Sequence, residues 1–148
     1  MTAPPDEWRR GEYVISTDPA RVDLDVTHAF LSERSYWAAG ITREQLERAI
    51  ANSLVFGIYR GDAQVGLARV VTDYAAFAYV ADVFVLEEER GKGLSVWLMQ
   101  TIVAHPHLQG LRRWMLGTRD AHGLYEKVGF RPVAAPERWM EIVSRPAP

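Results

Sequence analysis

Residues 83–95 read Val83-Phe84-Val85-Leu86-Glu87-Glu88-Glu89-Arg90-Gly91-Lys92-Gly93-Leu94-Ser95. Phe77 to Leu86 is a nearly continuous apolar run, the pattern of a strand buried on both faces and hence central in its sheet. It delivers the chain into a loop holding two glycines. A helix follows at once, with Leu94, Trp97, Leu98, Thr101 and Ile102 on one face. The first turn of a helix has unpaired N–H groups and partial positive charge, so it attracts anions. Glycine lets phosphate oxygens approach the backbone and permits unusual φ/ψ. Arg90 and Lys92 add charge of the right sign, and a polyphosphate ligand at this turn is the physical expectation. The bland alternative is a tight strand-to-helix turn with solvated charges. The spacing is neither a Walker loop nor the dinucleotide Gly-x-Gly-x-x-Gly, since position 96 is Val.

Outward from this stretch, the chain has 148 residues, 48% hydrophobic and 24% charged, which suits one globular domain over 1–148 with a folded core of 12–143. Pro4-Pro5 and Pro146-Ala147-Pro148 are expected to be loose ends. No apolar run is long enough to span a bilayer, and no secretory signal opens the chain, so a cytoplasmic location is expected. Cysteine is absent. That removes disulfides, a thiolate nucleophile and thiolate-bound zinc. The net charge of -2 gives no reason to expect nucleic acid or an anionic membrane as partner.

The remaining elements follow from periodicity and caps. Tyr13 to Ser16 is a short first strand, and Asp18-Pro19 suits the start of a helix carrying Val22, Val26, Ala29 and Phe30. Thr42 with Gln45 resembles a capping box for a second helix. Leu54 to Tyr59, Gln64 to Val71 and Phe77 to Leu86 are expected to form a three-stranded meander. After the helix ended by His105-Pro106, Leu111 to Thr118 is a strand, and Asp120 is expected to cap a short helix through Val128. Phe130 to Val133 and Trp139 to Val143 are candidate closing strands. The order β-α-α-β-β-β-α-β-α-β-β is a mixed α/β arrangement.

Two segments carry a family resemblance. Arg90-Gly91-Lys92-Gly93-Leu94-Ser95 resembles motif A of the GCN5-related N-acetyltransferases, Arg/Gln-x-x-Gly-x-Gly/Ala, with Ser95 where Gly or Ala is usual. Ala121-His122-Gly123-Leu124-Tyr125-Glu126-Lys127-Val128-Gly129-Phe130 is similar to the family's Ala-x-x-Leu-Tyr-x-Lys-x-Gly-Phe. The resemblance spans residues 12 to 143 and implies a central mixed, mostly antiparallel sheet flanked by about four helices. It also implies an N-acetyltransferase that uses acetyl-CoA as acyl donor and needs no metal.

Residue by residue, the resemblance implies that the pantetheine arm pairs with the backbone of Val83, Phe84 and Val85. It places the pyrophosphate on Arg90, Gly91, Lys92, Gly93, Leu94 and Ser95. Tyr125 matches the tyrosine that protonates the departing CoA thiolate, a proton the chemistry demands. Thr118, seven residues before Tyr125, stands where the family often has a cofactor-contacting asparagine. Tyr36, Trp37, Tyr74 and Tyr79 are candidates to line the acceptor site. The closing strands of this family often pair between subunits, so a homodimer is a further implication.

Asp82 lies inside the apolar strand, on the face expected for Val80 and Phe84. A buried carboxylate needs a partner or a purpose. It is a candidate base or amine anchor, against the alternative that Arg69 or a backbone N–H satisfies it. Three functions remain open at this point: acetyl transfer to a small primary amine, acetyl transfer to a protein or peptide, and an idle acyl-CoA sensor of the same fold.

Overall fold

The computed structural model describes residues 5–144, so Pro4 and Pro146 to Pro148 lie outside the described residues. The chain enters through a hairpin, β1 (Glu7–Arg10) and β2 (Tyr13–Ser16). Only the second of these strands has a legible pattern. In β1, Trp8 alone turns inward, stacking on Phe56 at 6.1 Å, so a run with the composition Glu-Trp-Arg-Arg hides an edge strand that starts before residue 12.

Asp18 does cap a turn, accepting from the Ala20 amide, but that turn is a short 3-10 segment at Pro19–Arg21. The helix α1 (Leu24–Arg34) begins later, capped by Asp23, whose side chain accepts from the Val26 amide at 3.1 Å. Extended ψ at Val22 separates the two. The helix α2 (Arg43–Ala51) has the expected capping box, with Thr42 and Gln45 satisfying each other's backbone N–H groups. The meander follows as β3 (Leu54–Arg60), β4 (Ala63–Thr72) and β5 (Phe77–Val85), then α3 (Leu94–Val103), β6 (Arg113–Met115) and α4 (His122–Glu126).

Two expectations near the C-terminus need correction. Asp120 does not cap α4, whose N-terminus has no side-chain cap; the Thr118 hydroxyl instead accepts from the amide of the N-cap residue Ala121 at 3.0 Å. Phe130 to Val133 and Trp139 to Val143 form no strands, although the second has strong β propensity. Pro132 and Pro136 remove backbone donors along this stretch, and nothing else among the described residues pairs with it. Met140 and Ile142 are left 96% and 97% exposed.

Among the described residues, six strands form one sheet in the order β1-β2-β3-β4-β5-β6, antiparallel except for the parallel β5–β6 pair. This is the mixed, mostly antiparallel arrangement expected, with four helices on its faces. On one face α3 and α4 cover Phe56, Ile58, Val70 and Val80, packed with Leu98, Met99 and Ile102. On the other, α1 and α2 bring Phe30, Leu31, Leu46 and Ile50 against Val55, Leu67 and Phe84. Each such fully buried side chain contributes about 1.5–3 kcal/mol. No helix among the described residues is long and apolar enough to cross a membrane.

Two irregularities shape what lies between the faces. The register of β4 against β5 slips between Leu67 and Arg69, so Asp82 and Val83 together oppose Ala68. Asp82 takes φ 56 to make this bulge. The inserted residue inverts the alternation of β5. Val80 packs with the α3 face, whereas Phe84 packs with the α1–α2 face, its ring 4.2 Å from that of Phe30. Asp82 therefore does not share one face with both, as unbroken alternation would require. The second irregularity is that β6 pairs with β5 only from Phe77 to Tyr79. Beyond Tyr79 the two strands part.

Candidate active site

The parting of β5 and β6 opens a cleft of about 500 Å³. Its floor is β5 from Tyr79 to Val85, an edge no longer paired to β6. The end of α1 and the connection after it form one wall, and residues 117–121 with Leu124 and Tyr125 of α4 form the other. Arg90 and Ser95 stand at one end. Of the residues singled out from the sequence, Tyr36, Trp37, Tyr79, Asp82, Val83, Phe84, Val85, Arg90, Ser95, Thr118 and Tyr125 all line this one cleft. Tyr74 does not. It sits at φ 61 in the β4–β5 turn, where the Asp73 carboxylate accepts from the amides of Ala75, Ala76 and Phe77 and fixes the turn at the opposite end of β5 from the glycines.

Gly91, Lys92, Gly93 and Leu94 form the turn beside the cleft. Gly91 and Gly93 have φ of 80° and 76°, the left-handed region that side chains disfavour. Gly93 is the N-cap of α3, so the first amides of that helix are free of intrahelical partners. The basic residues divide differently from expectation. Lys92 is tied back: its ammonium reaches the Glu89 carboxylate and the Tyr13 hydroxyl, both at 3.2 Å. Arg90 spends only its Nε, donating to the Val85 carbonyl at 3.1 Å. A third cation, Arg10 of β1, lies with its guanidinium 3.3 Å from where a Cβ on Gly93 would stand. It was invisible in the sequence because β1 was.

Glu89 anchors this turn from below. It is almost fully buried and accepts from Tyr13 Oη at 2.6 Å, with Arg60 and Lys92 each 3.2 Å away. The Tyr13 hydrogen bond, then the two cations, hold its carboxyl below the usual range despite burial. The same Tyr13 and Glu89 contacts raise Lys92. Nothing in a run of three glutamates marks the third as the buried one.

On the far wall, Tyr125 is 8% exposed and its phenol has no hydrogen-bond partner among the described residues. Burial pushes the phenol up to about 12, with smaller contributions from Tyr36 and Asp120. The connection after α1 bridges the cleft to the 117–121 segment. Tyr36 Oη accepts from the Arg119 amide at 2.7 Å, and the Arg119 guanidinium lies 3.9 Å over the Tyr36 ring. Trp37 packs edge-on to Tyr36 and donates its indole N–H to Asp82 Oδ1 at 2.9 Å.

Asp82 Oδ2 accepts from Arg69 Nε at 2.8 Å, and Arg69 in turn donates to Ser53. Both carboxylate oxygens are thus engaged. Of the roles open for Asp82 in the sequence, the geometry matches the residue satisfied by Arg69, with the added task of holding Trp37. Thr118 uses its hydroxyl to accept from the Ala121 amide. Among the described residues, no group of three or more His, Asp or Glu is placed to hold a metal ion. His105 is buried between Trp8 and Phe56 and bonded to Asp6 at 3.0 Å, a packing role.

Residues 51–132 match the family model described as an acetyltransferase (GNAT) domain. A Gibberella zeae protein provisionally named an acetyltransferase is 36% identical over 145 residues, covering 83% of this chain and 81% of its own. A GNAT-family protein from Xanthomonas campestris is 48% identical, with a TM-score of 0.87 over 88% of this chain and 92% of that one. A protein from Clostridium acetobutylicum, crystallised with acetyl-CoA, is 14% identical and shares the fold, with a TM-score of 0.60 over 88% of this chain and 94% of that one.

Proposed function

Because the chain belongs to the GNAT acetyltransferase family, we propose that it moves an acetyl group from acetyl-CoA to the primary amine of a small molecule, by direct attack and with Tyr125 as general acid. The observation that carries this is an unpartnered, protonated phenol on the wall of a cleft that ends in a glycine turn.

The residues present suit acetyl-CoA. The β5 edge past Tyr79 offers backbone groups to an extended amide-bearing arm. Left-handed Gly91 and Gly93 bare the start of α3, and Arg90 and Arg10 supply positive charge there. The donor brings a thioester carbonyl carbon, open to attack by a neutral amine. As the C–N bond forms and the C–S bond breaks, Tyr125 gives its proton to sulfur, the amine's surplus proton leaves to solvent, and the phenolate is reprotonated. Asp82 contributes by position, through Trp37. Ser95 lines the cleft at the first turn of α3, where its hydroxyl is a further donor to phosphate.

Thiol release from acetyl-CoA with a panel of primary amines tests the reaction, alongside calorimetry with CoA and with ATP. Amine-dependent release and CoA binding are expected. Binding of ATP in preference to CoA, or CoA binding with no release from any amine, would sink the reading.

A homodimer belongs to the same proposal. The outer edge of β6 carries no strand among the described residues, and the exposed Met140 and Ile142 lie on a segment of high β propensity. A second copy supplies the missing strand. Light scattering should give a dimer that Ile142→Asp converts to a monomer; a wild-type monomer at tens of micromolar rules this out.

A further inference from the structure

The acceptor half of the cleft holds positive charge that acetyl transfer alone does not call for. Arg34, the last residue of α1, and Arg119 both line it, and neither forms an ion pair with a carboxylate among the described residues. A cation at a helix C-terminus complements the helix dipole, which accounts in part for Arg34. Arg119 has no such account. Its guanidinium is held flat against the Tyr36 ring at 3.9 Å, while its own backbone amide is fixed by the Tyr36 hydroxyl. A stacked guanidinium keeps its N–H edge free for bidentate contact.

The acidic residues do not cancel these cations. Asp82 is neutralised by Arg69 and bonded to Trp37, which leaves Asp120 as the one other carboxylate on the cleft wall among the described residues. Tyr36, Trp37 and Tyr79 supply flat aromatic surface beside the arginines. Two arginines against one carboxylate make a poor host for a polycation, because the like charges would meet in a partly desolvated space.

We propose that the acceptor is amino-acid-like: an amine that also bears a carboxylate, received by Arg119 with Arg34, and a flat apolar side chain laid against Tyr36, Trp37 and Tyr79. This rests on the acetyl-transfer reading. The carboxylate holds the acceptor by its far end, so the amine points back along the cleft towards Tyr125. Asp120 is left to meet the ammonium before it loses its proton.

The discriminating experiment measures thiol release with L-phenylalanine, its methyl ester, L-tryptophan, its methyl ester, and spermidine. The free acids should exceed their esters in kcat/KM by roughly 10- to 100-fold, the range of a charge-assisted hydrogen bond. Spermidine should be poorer than either acid. In Arg119→Gln the acid-to-ester ratio should collapse towards one, chiefly through KM, and Arg119→Lys should recover part of it. The glutamine keeps the backbone amide that bonds Tyr36, so the wall itself is preserved. Equal rates for acid and ester in the wild type, or a ratio untouched by Arg119→Gln, would overturn the proposal while leaving acetyl transfer standing. CoA binding without thiol release from any amine would overturn both.

Discussion

Tyr125→Phe should lower kcat for thiol release by about 100- to 1,000-fold, within the usual worth of a positioned general acid. KM for acetyl-CoA should hardly change. The substitution removes one oxygen that bonds to nothing among the described residues, so the fold should lose almost no stability. The pH behaviour is as informative as the magnitude. With its phenol pushed up to about 12, Tyr125 stays protonated throughout the working range. A thiol has an ordinary pKa near ~8.5, so this phenol is the weaker acid, and its proton moves in step with departure of the sulfur rather than ahead of it. Wild-type activity should therefore rise with pH as the acceptor amine is freed of its proton, without an alkaline fall due to Tyr125. The loss in Tyr125→Phe should be the same factor at pH 7 and pH 10. A loss below threefold would remove Tyr125 from the acid role.

The second large effect concerns stability. Asp82→Ala should destabilise the protein by about 3 kcal/mol or more, because it leaves the Arg69 guanidinium partly buried without its counter-charge. It also places a residue with no local hydrogen-bonding side chain at φ 56, a region that Asp and Asn tolerate far better than Ala. Asp82→Asn keeps that tolerance, but its one amide oxygen can accept from Trp37 or from Arg69 and not from both, so a loss of about 1–3 kcal/mol is expected. Urea denaturation measures both. If Asp82→Ala costs less than 1 kcal/mol, the Arg69–Asp82–Trp37 chain is not holding the cleft wall. If Asp82→Asn abolishes turnover while the fold survives, Asp82 acts as a base after all.

Much of this site is legible in the sequence alone. The strand–glycine–helix transition at 83–95 appears where the apolar run and the two glycines place it. The Thr42–Gln45 cap and the Leu124-Tyr125 pair are likewise local signals with local causes. What escaped depends on distant partners. The hairpin strand at Glu7–Arg10 has one inward side chain, too few for a period, and with it went Arg10. Glu89 is indistinguishable from its two neighbours until Tyr13 and Arg60 arrive from β2 and β3. The family resemblance groups Tyr74 with Tyr79 at the acceptor site, and the Asp73 turn separates them. The closing strands were assigned on propensity, which does not count the partners a strand requires.

The bulge at Asp82 has a consequence for how this protein can change. The extra residue is absorbed locally, so the ladder on either side of it keeps its register. Deleting it would leave Val83 opposite Ala68, Phe84 against Phe30 and Val85 in the α3 core, but would remove the carboxylate shared by Arg69 and Trp37. Truncation of the buried Phe84 or Val85 would instead open a cavity in one core or the other. Tyr79 and Ala81 before the bulge and Val83 to Val85 after it all line the cleft. What this position cannot spare is thus the carboxylate rather than the extra length of strand.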